Sequence, residues 1–137
     1  MIHIAFTIHN GGALTIIKDA DHQVIRRETH ALHHVSGPLA DWLACKAALR
    51  LGGSLTRGDV ALYSDLPVIE QLCALQPPAA APGRVDKNGL TTEQRAAGHE
   101  MAQYFEVLAM LWTLFRGRWT ACRVGQERIV AAMELTP

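Results

Sequence analysis

Ile2, Ile4, Phe6 and Ile8 alternate with His3, Ala5, Thr7 and His9, the period of two that marks a half-buried β-strand. Asn10-Gly11 follows at once. That dipeptide tolerates the positive φ angles of a tight hairpin turn, so the next run, Ala13 to Lys18, is expected to pair antiparallel with the first. A polar turn at Asp19 to His22 leads into a third run, Gln23 to Leu32, with Val24, Arg26, Glu28 and His30 on one side and Ile25, Arg27, Thr29 and Ala31 on the other. So polar a strand belongs at a sheet edge, where charge discourages pairing with other chains.

The period then changes. Ser36-Gly37-Pro38 is a helix-start signal, with proline at the first helical position. Leu39, Trp42, Leu43 and Leu49 lie on one broad face down to Leu51, and Gly52-Gly53 is expected to end the helix. Asp59 to Ser64 holds the continuous apolar run Val60-Ala61-Leu62-Tyr63, as a central parallel strand covered on both faces would. Pro67 to Leu75 reads as a short helix. The stretch 76–91, with Pro77-Pro78 and Pro82-Gly83, reads as one long proline-rich loop. Thr92 is placed to cap a helix reaching Phe115, in which Met101, Phe105, Leu108, Trp112 and Phe115 recur every three or four residues. Val107, Met110, Leu111 and Leu114 widen that apolar face. It is expected to be buried on more than one side, chiefly within the chain, with a homodimer surface as the alternative. Trp119 to Val124 gives a last strand and Glu127 to Glu134 a closing helix.

Three strands joined by turns, a helix, a strand, two helices, a strand and a helix make an α/β domain. The expected sheet is mixed and five-stranded, three antiparallel strands followed by parallel ones, flanked by helices.

At 137 residues and 15.0 kDa, one core spanning residues 1–137 is expected, burying about two thirds of the surface the unfolded chain exposes. No apolar run approaches the roughly 20 residues of a membrane span, and Met1-Ile2-His3-Ile4 has neither the basic nor the apolar part of a secretory signal. A cytoplasmic protein is therefore expected. Cys45, Cys73 and Cys122, odd in number and widely spaced, read as buried thiols of a reducing compartment and not as a disulfide framework. Thirteen basic residues balance thirteen acidic ones, which removes the long-range attraction on which strong nonspecific binding of phosphate backbones rests. A local basic face is still available from Arg116, Arg118 and Arg123, although such clusters are most often solvated surface.

Ligands of open α/β sheets gather at the carboxyl ends of the strands, where Asp65 stands; the same residue could equally cap the following helix. His30, His33 and His34 fall within five residues, with His9 a further candidate neighbour, but adjacent histidines in an extended segment point apart and no ligand spacing is complete. No Gly-x-Ser-x-Gly elbow or phosphate-binding glycine loop is present.

Local stretches nevertheless resemble a known family. In Ala40-Asp41-Trp42-Leu43-Ala44-Cys45-Lys46-Ala47-Ala48-Leu49, Asp41 takes the place of a catalytic glutamate followed by small and apolar residues. Val60-Ala61-Leu62-Tyr63-Ser64-Asp65 is similar to a central strand ending in serine or threonine and then the catalytic aspartate. The family is the ribonuclease H-like superfamily, and the resemblance covers nearly the whole chain. It implies the ribonuclease H fold and, for complete members, cleavage of the RNA strand of RNA–DNA hybrids with two magnesium ions on a carboxylate cluster.

The pattern breaks at two of four positions. After Phe6-Thr7 the first catalytic aspartate is replaced by Ile8, and in Gln126-Glu127-Arg128-Ile129-Val130 the final aspartate is replaced by Val130. The histidine-bearing glycine-rich loop before that helix is absent. Two metal ions bring roughly four positive charges, which hard oxygen ligands must offset, and Asp41 with Asp65 would hold Mg or Mn weakly at most. The expectation is a degenerate centre needing no cofactor, on a scaffold that binds nucleic acid, such as an RNA–DNA hybrid, or another protein chain. The alternative is an active, metal-dependent ribonuclease whose missing ligands are rebuilt from Asn10, His9 or Glu127.

Overall fold

The computed structural model describes residues 1–33, 35, 37–56, 58–74, 99–116 and 118–132, and within these the side chains of 99–101, 130 and 132 are left aside. Strands β1 (Ile2–His9), β2 (Gly12–Lys18) and β3 (Val24–Ala31) come first. Helix α1 (Gly37–Leu55), strand β4 (Val60–Ser64), helix α2 (Ile69–Cys73), helix α3 (His99–Phe115), strand β5 (Trp119–Arg123) and helix α4 (Gln126–Ala132) follow. The proline-rich stretch 76–91 and the proposed cap at Thr92 lie outside the described residues.

The five strands form one sheet in the order β3-β2-β1-β4-β5. β1 pairs antiparallel with β2 and parallel with β4, and β5 is parallel to β4, the mixed arrangement that the element order predicts. Asn10 and Gly11 have φ of 52° and 75°, so both residues take the left-handed conformation of a tight hairpin turn, and His9 pairs with Gly12. β3 lies at the edge and is solvent-exposed at all its residues except Glu28, as its charge implies.

One face of the sheet carries the main core. Ile4, Phe6, Ile17 and Leu62 pack with Trp42, Ala48 and Leu49 of α1 and with Val107, Leu111 and Phe115 of α3. The opposite face is covered by a smaller cluster, in which Ile129 of α4 packs on Leu14 and Ile16.

Two expectations change. Gly52 and Gly53 do not end α1, which continues to Leu55. Both are buried contact points: a Cβ at Gly52 would collide with Ile4 Cδ1, and one at Gly53 would lie 2.9 Å from Leu114 Cδ1. Here glycine permits close packing of α1 on β1 and α3, which outweighs its low helix propensity. In α3 the buried stripe is Val107, Leu111 and Phe115, whereas Trp112 is 41% exposed, so the face is rotated from the one anticipated through Trp112. Cys45 is buried as expected, but Cys73 is half-buried and Cys122 exposed.

Candidate functional site

The parallel register of β1 and β4 ends with Phe6 opposite Ser64. Beyond that pair stand Thr7 and Asp65, and the Thr7 hydroxyl donates to Asp65 Oδ1 at 2.6 Å. Ser64 fastens the strand end: its hydroxyl donates to the Phe6 carbonyl oxygen at 2.7 Å and accepts from the Leu66 N–H at 3.1 Å. These bonds satisfy backbone groups where the sheet ladder stops. Asp65 is thereby held at the carboxyl end of β4 with one carboxylate oxygen already engaged.

Asp41, in the second turn of α1, is half-buried. Its carboxyl is pushed above the ordinary aspartate range, first by burial and then by the negative charge of Asp65. The fold thus brings together the two acids singled out from the sequence. Ile8 packs its half-buried side chain against the main core, and Val130 is a hydrocarbon residue by identity. Among the described residues no group of three His, Cys, Asp or Glu is placed to hold a metal ion. His34 lies outside the described residues, so only part of the histidine cluster is described. Glu127 is exposed in the first turn of α4.

The three arginines do not share one patch. Arg118 precedes β5 and pairs with Asp59 at 2.7 Å, just ahead of β4. Arg123 ends β5, at the other end of that strand, where its Nε donates to the Asp65 carbonyl oxygen at 3.3 Å and its Nη1 to Glu70 at 2.7 Å. Arg116 is exposed, with φ of 53°. Only Arg123 of the three is bonded at the acid end of the sheet. Its anchoring on Asp65, and the Thr7–Asp65 bond, depend on strand register and carry no local sequence signal.

No protein-family model matches the chain, and no curated protein matches it by sequence. Solved structures do match by shape. Ribonuclease H1 from the halophilic archaeon Halobacterium salinarum NRC-1 superposes with a TM-score of 0.64 at 13% identity, over 93% of this chain and 88% of that one. LC11 ribonuclease H1 in complex with an RNA/DNA hybrid gives 0.66 at 13% identity, over 98% and 93%. The N-terminal ribonuclease H domain of the Mycobacterium tuberculosis protein rv2228c, solved as a fusion with maltose-binding protein, gives 0.66 at 18% identity, over 98% and 94%.

The fold is that of ribonuclease H.

The two-metal centre that the sequence resemblance implies would fall at the acid end of β4, and among the described residues the donor set fits such a centre poorly. Two carboxylates face a demand for several, one of them is already bonded by Thr7, and burial together with the neighbouring acid favours the neutral form of Asp41. The guanidinium of Arg123 lies on the same side, bonded to the Asp65 carbonyl oxygen and paired with Glu70. What the arrangement offers chemically is a paired-acid and arginine surface at a strand terminus, suited to hydrogen bonding and contact with a polar ligand. No helix among the described residues is long and apolar enough to cross a membrane.

Proposed function

We propose that this chain is a catalytically degenerate ribonuclease H-fold protein that binds nucleic acid at the carboxyl end of its sheet without cleaving it efficiently. The observation that carries the reading is the acid pair: Asp41 and Asp65 stand near each other, with half-buried Ile8 packed against the core at the position where the resemblance calls for the bridging aspartate. A carboxylate at that position would offset metal charge, and the sec-butyl side chain of Ile8 cannot. The RNA/DNA hybrid bound by LC11 ribonuclease H1 makes such a hybrid the first ligand to test. Arg123 would meet a backbone phosphate, and the polar groups of Thr7 and Asp65 would add hydrogen bonds. With no net charge on the chain, binding should be modest and strongly weakened by salt.

The test is a labelled RNA–DNA hybrid mixed with pure protein in magnesium and in manganese, read for both cleavage and fluorescence anisotropy, with Asp65→Asn and Arg123→Gln prepared identically. Binding without cleavage, weakened in Arg123→Gln, is the expected result. Cleavage that disappears in Asp65→Asn would replace this reading with that of an active ribonuclease with a rebuilt site, for which Glu127→Gln is the next variant. A homodimer through the apolar helix near residues 101–115 belongs to the same proposal, and light scattering showing a monomer at high concentration would remove it.

A further inference from the structure

Among the described residues the sheet face away from α1 is covered incompletely. Where Ile129 packs on Ile16 the cover is closed, but toward the start of β1 a cavity of about 270 Å³ remains, lined by His3, Lys18, His22, Tyr63 and Arg128 above an apolar floor that includes Ile16 and Ile129. The strand register assembles it: His3 pairs with Lys18, and Ala5 pairs with Ile16 on one side and Tyr63 on the other, so side chains two residues apart share this face.

Three rings form a layered wall. The imidazoles of His3 and His22 stack with centroids 4.7 Å apart at 27°, and His3 and Tyr63 lie 5.8 Å apart at 27°. The Tyr63 hydroxyl and His3 Nδ1 are hydrogen-bonded at 3.2 Å, which fixes the inner pair. His22 is set in place by its turn: it adopts φ of 62° and its N–H donates to the Asp19 carbonyl oxygen at 2.9 Å. The Asp19 carboxylate is occupied by the N–H groups of Asp21 and Gln23, at 2.9 and 3.0 Å.

The charge of the cavity is one-sided. Lys18 and Arg128 line it, neither has an ion-pair partner among the described residues, and no carboxylate is part of the lining. The imidazole of His3 is held below its ordinary range, by burial first and then by repulsion from His22, the amino terminus and Lys18.

Parallel rings, an apolar floor and two cations without partners suit a ligand that is flat and aromatic at one end and anionic at the other. We propose that this cavity binds a nucleoside monophosphate, with its base against the His22–His3–Tyr63 layer and its phosphate met by Lys18 and Arg128. The site is separate from the acid pair, since Asp41 belongs to the helix that packs on the other face of the sheet, and it does not depend on the function proposed above.

The experiment is calorimetry and amide NMR titration of the full chain with adenosine 5′-monophosphate, adenosine and inorganic phosphate. Saturable binding of the monophosphate is expected, with shifts at His3, Tyr63 and Ile129, and with adenosine and phosphate each about tenfold weaker or more, because each lacks half of the contacts. Lys18→Gln and Arg128→Gln should each weaken the monophosphate about tenfold. His22→Gly, which suits the left-handed backbone while removing the ring, should weaken the monophosphate and leave phosphate unchanged; all three variants are exposed or half-buried and their folding is checked by thermal melting. Absence of saturable binding, equal affinity for phosphate and monophosphate, or undiminished binding in both cation variants would overturn the proposal. A 5′-phosphorylated trinucleotide binding more tightly than the mononucleotide would assign the pocket to a strand end, and the reverse order to a free nucleotide; either order supports the same chemistry.

Discussion

The Thr7 hydroxyl donates to Asp65 Oδ1 at 2.6 Å, across two parallel strands whose residues are 58 positions apart in the chain. Thr7 is buried, with 3% of its surface exposed, so its hydroxyl has little water to turn to if Asp65 is removed. The bond ties the end of β1 to the acid end of β4 and occupies an oxygen that a metal would otherwise use. Replacing Thr7 by valine keeps the shape and deletes the donor. The expected loss is about 1–2 kcal/mol of stability, in the range for a hydrogen bond to a charged group that is partly solvated, read as a lower urea midpoint with an unchanged slope.

Asp41 should be a stability liability at neutral pH. Its carboxyl has a raised pKa in the folded chain, so its favourable contribution is present below the unfolded value, about 4, and is lost as the pH rises through the folded value. Asp41→Asn keeps a neutral side chain throughout. Melting temperatures should therefore favour the variant at pH 7, with the advantage fading near pH 3. Since burial is the larger cause and Asp65 the second, Asp65→Asn should lower the Asp41 pKa only part of the way, which carboxyl NMR titration would read.

Gly52 offers a test of packing against propensity. In an exposed helix, glycine to alanine stabilises by about 1 kcal/mol. Here the added methyl would meet Ile4, itself fully buried, with Phe115 Cζ 3.6 Å away, and overpacking of a core costs about 1–3 kcal/mol. Gly52→Ala should therefore lower the melting temperature, and an increase would mean that Ile4 can move aside.

The three thiols should separate by reactivity. Cys45 is buried and its thiol is pushed up to about 12, so it has almost no thiolate at neutral pH. Cys73 is half-buried and donates to the Ala121 carbonyl oxygen at 3.2 Å, and Cys122 is exposed. Titration with a thiol reagent should modify Cys122 quickly, Cys73 slowly, and Cys45 only on unfolding. Rapid modification of Cys45 in the native protein would show that α1 opens locally.

Much of this architecture was legible along the chain because its signals are local. Alternation in residues 2–9, the Asn10-Gly11 turn and the apolar run 60–63 each reflect backbone geometry over a few residues, and the strands appear where those signals place them. Asp65 was legible for the same reason, as the residue following a buried strand. Gly52-Gly53 reads as a stop because glycine in isolation signals weak helix propensity, and only the presence of Ile4 and Leu114 against those positions turns it into a requirement of close packing.

What the sequence by itself determined is the order and type of the elements and the identity of the acids, including the hydrocarbon residues at 8 and 130. Tertiary structure decided which of these residues meet. The Thr7–Asp65 bond, the Arg123 contact with Asp65, the separation of Arg118 from Arg123 and the His22–His3–Tyr63 layer all arise from strand pairing between residues remote in sequence. Register follows from how whole faces bury against α1, α3 and α4, a property of the assembled sheet that no short window of residues contains.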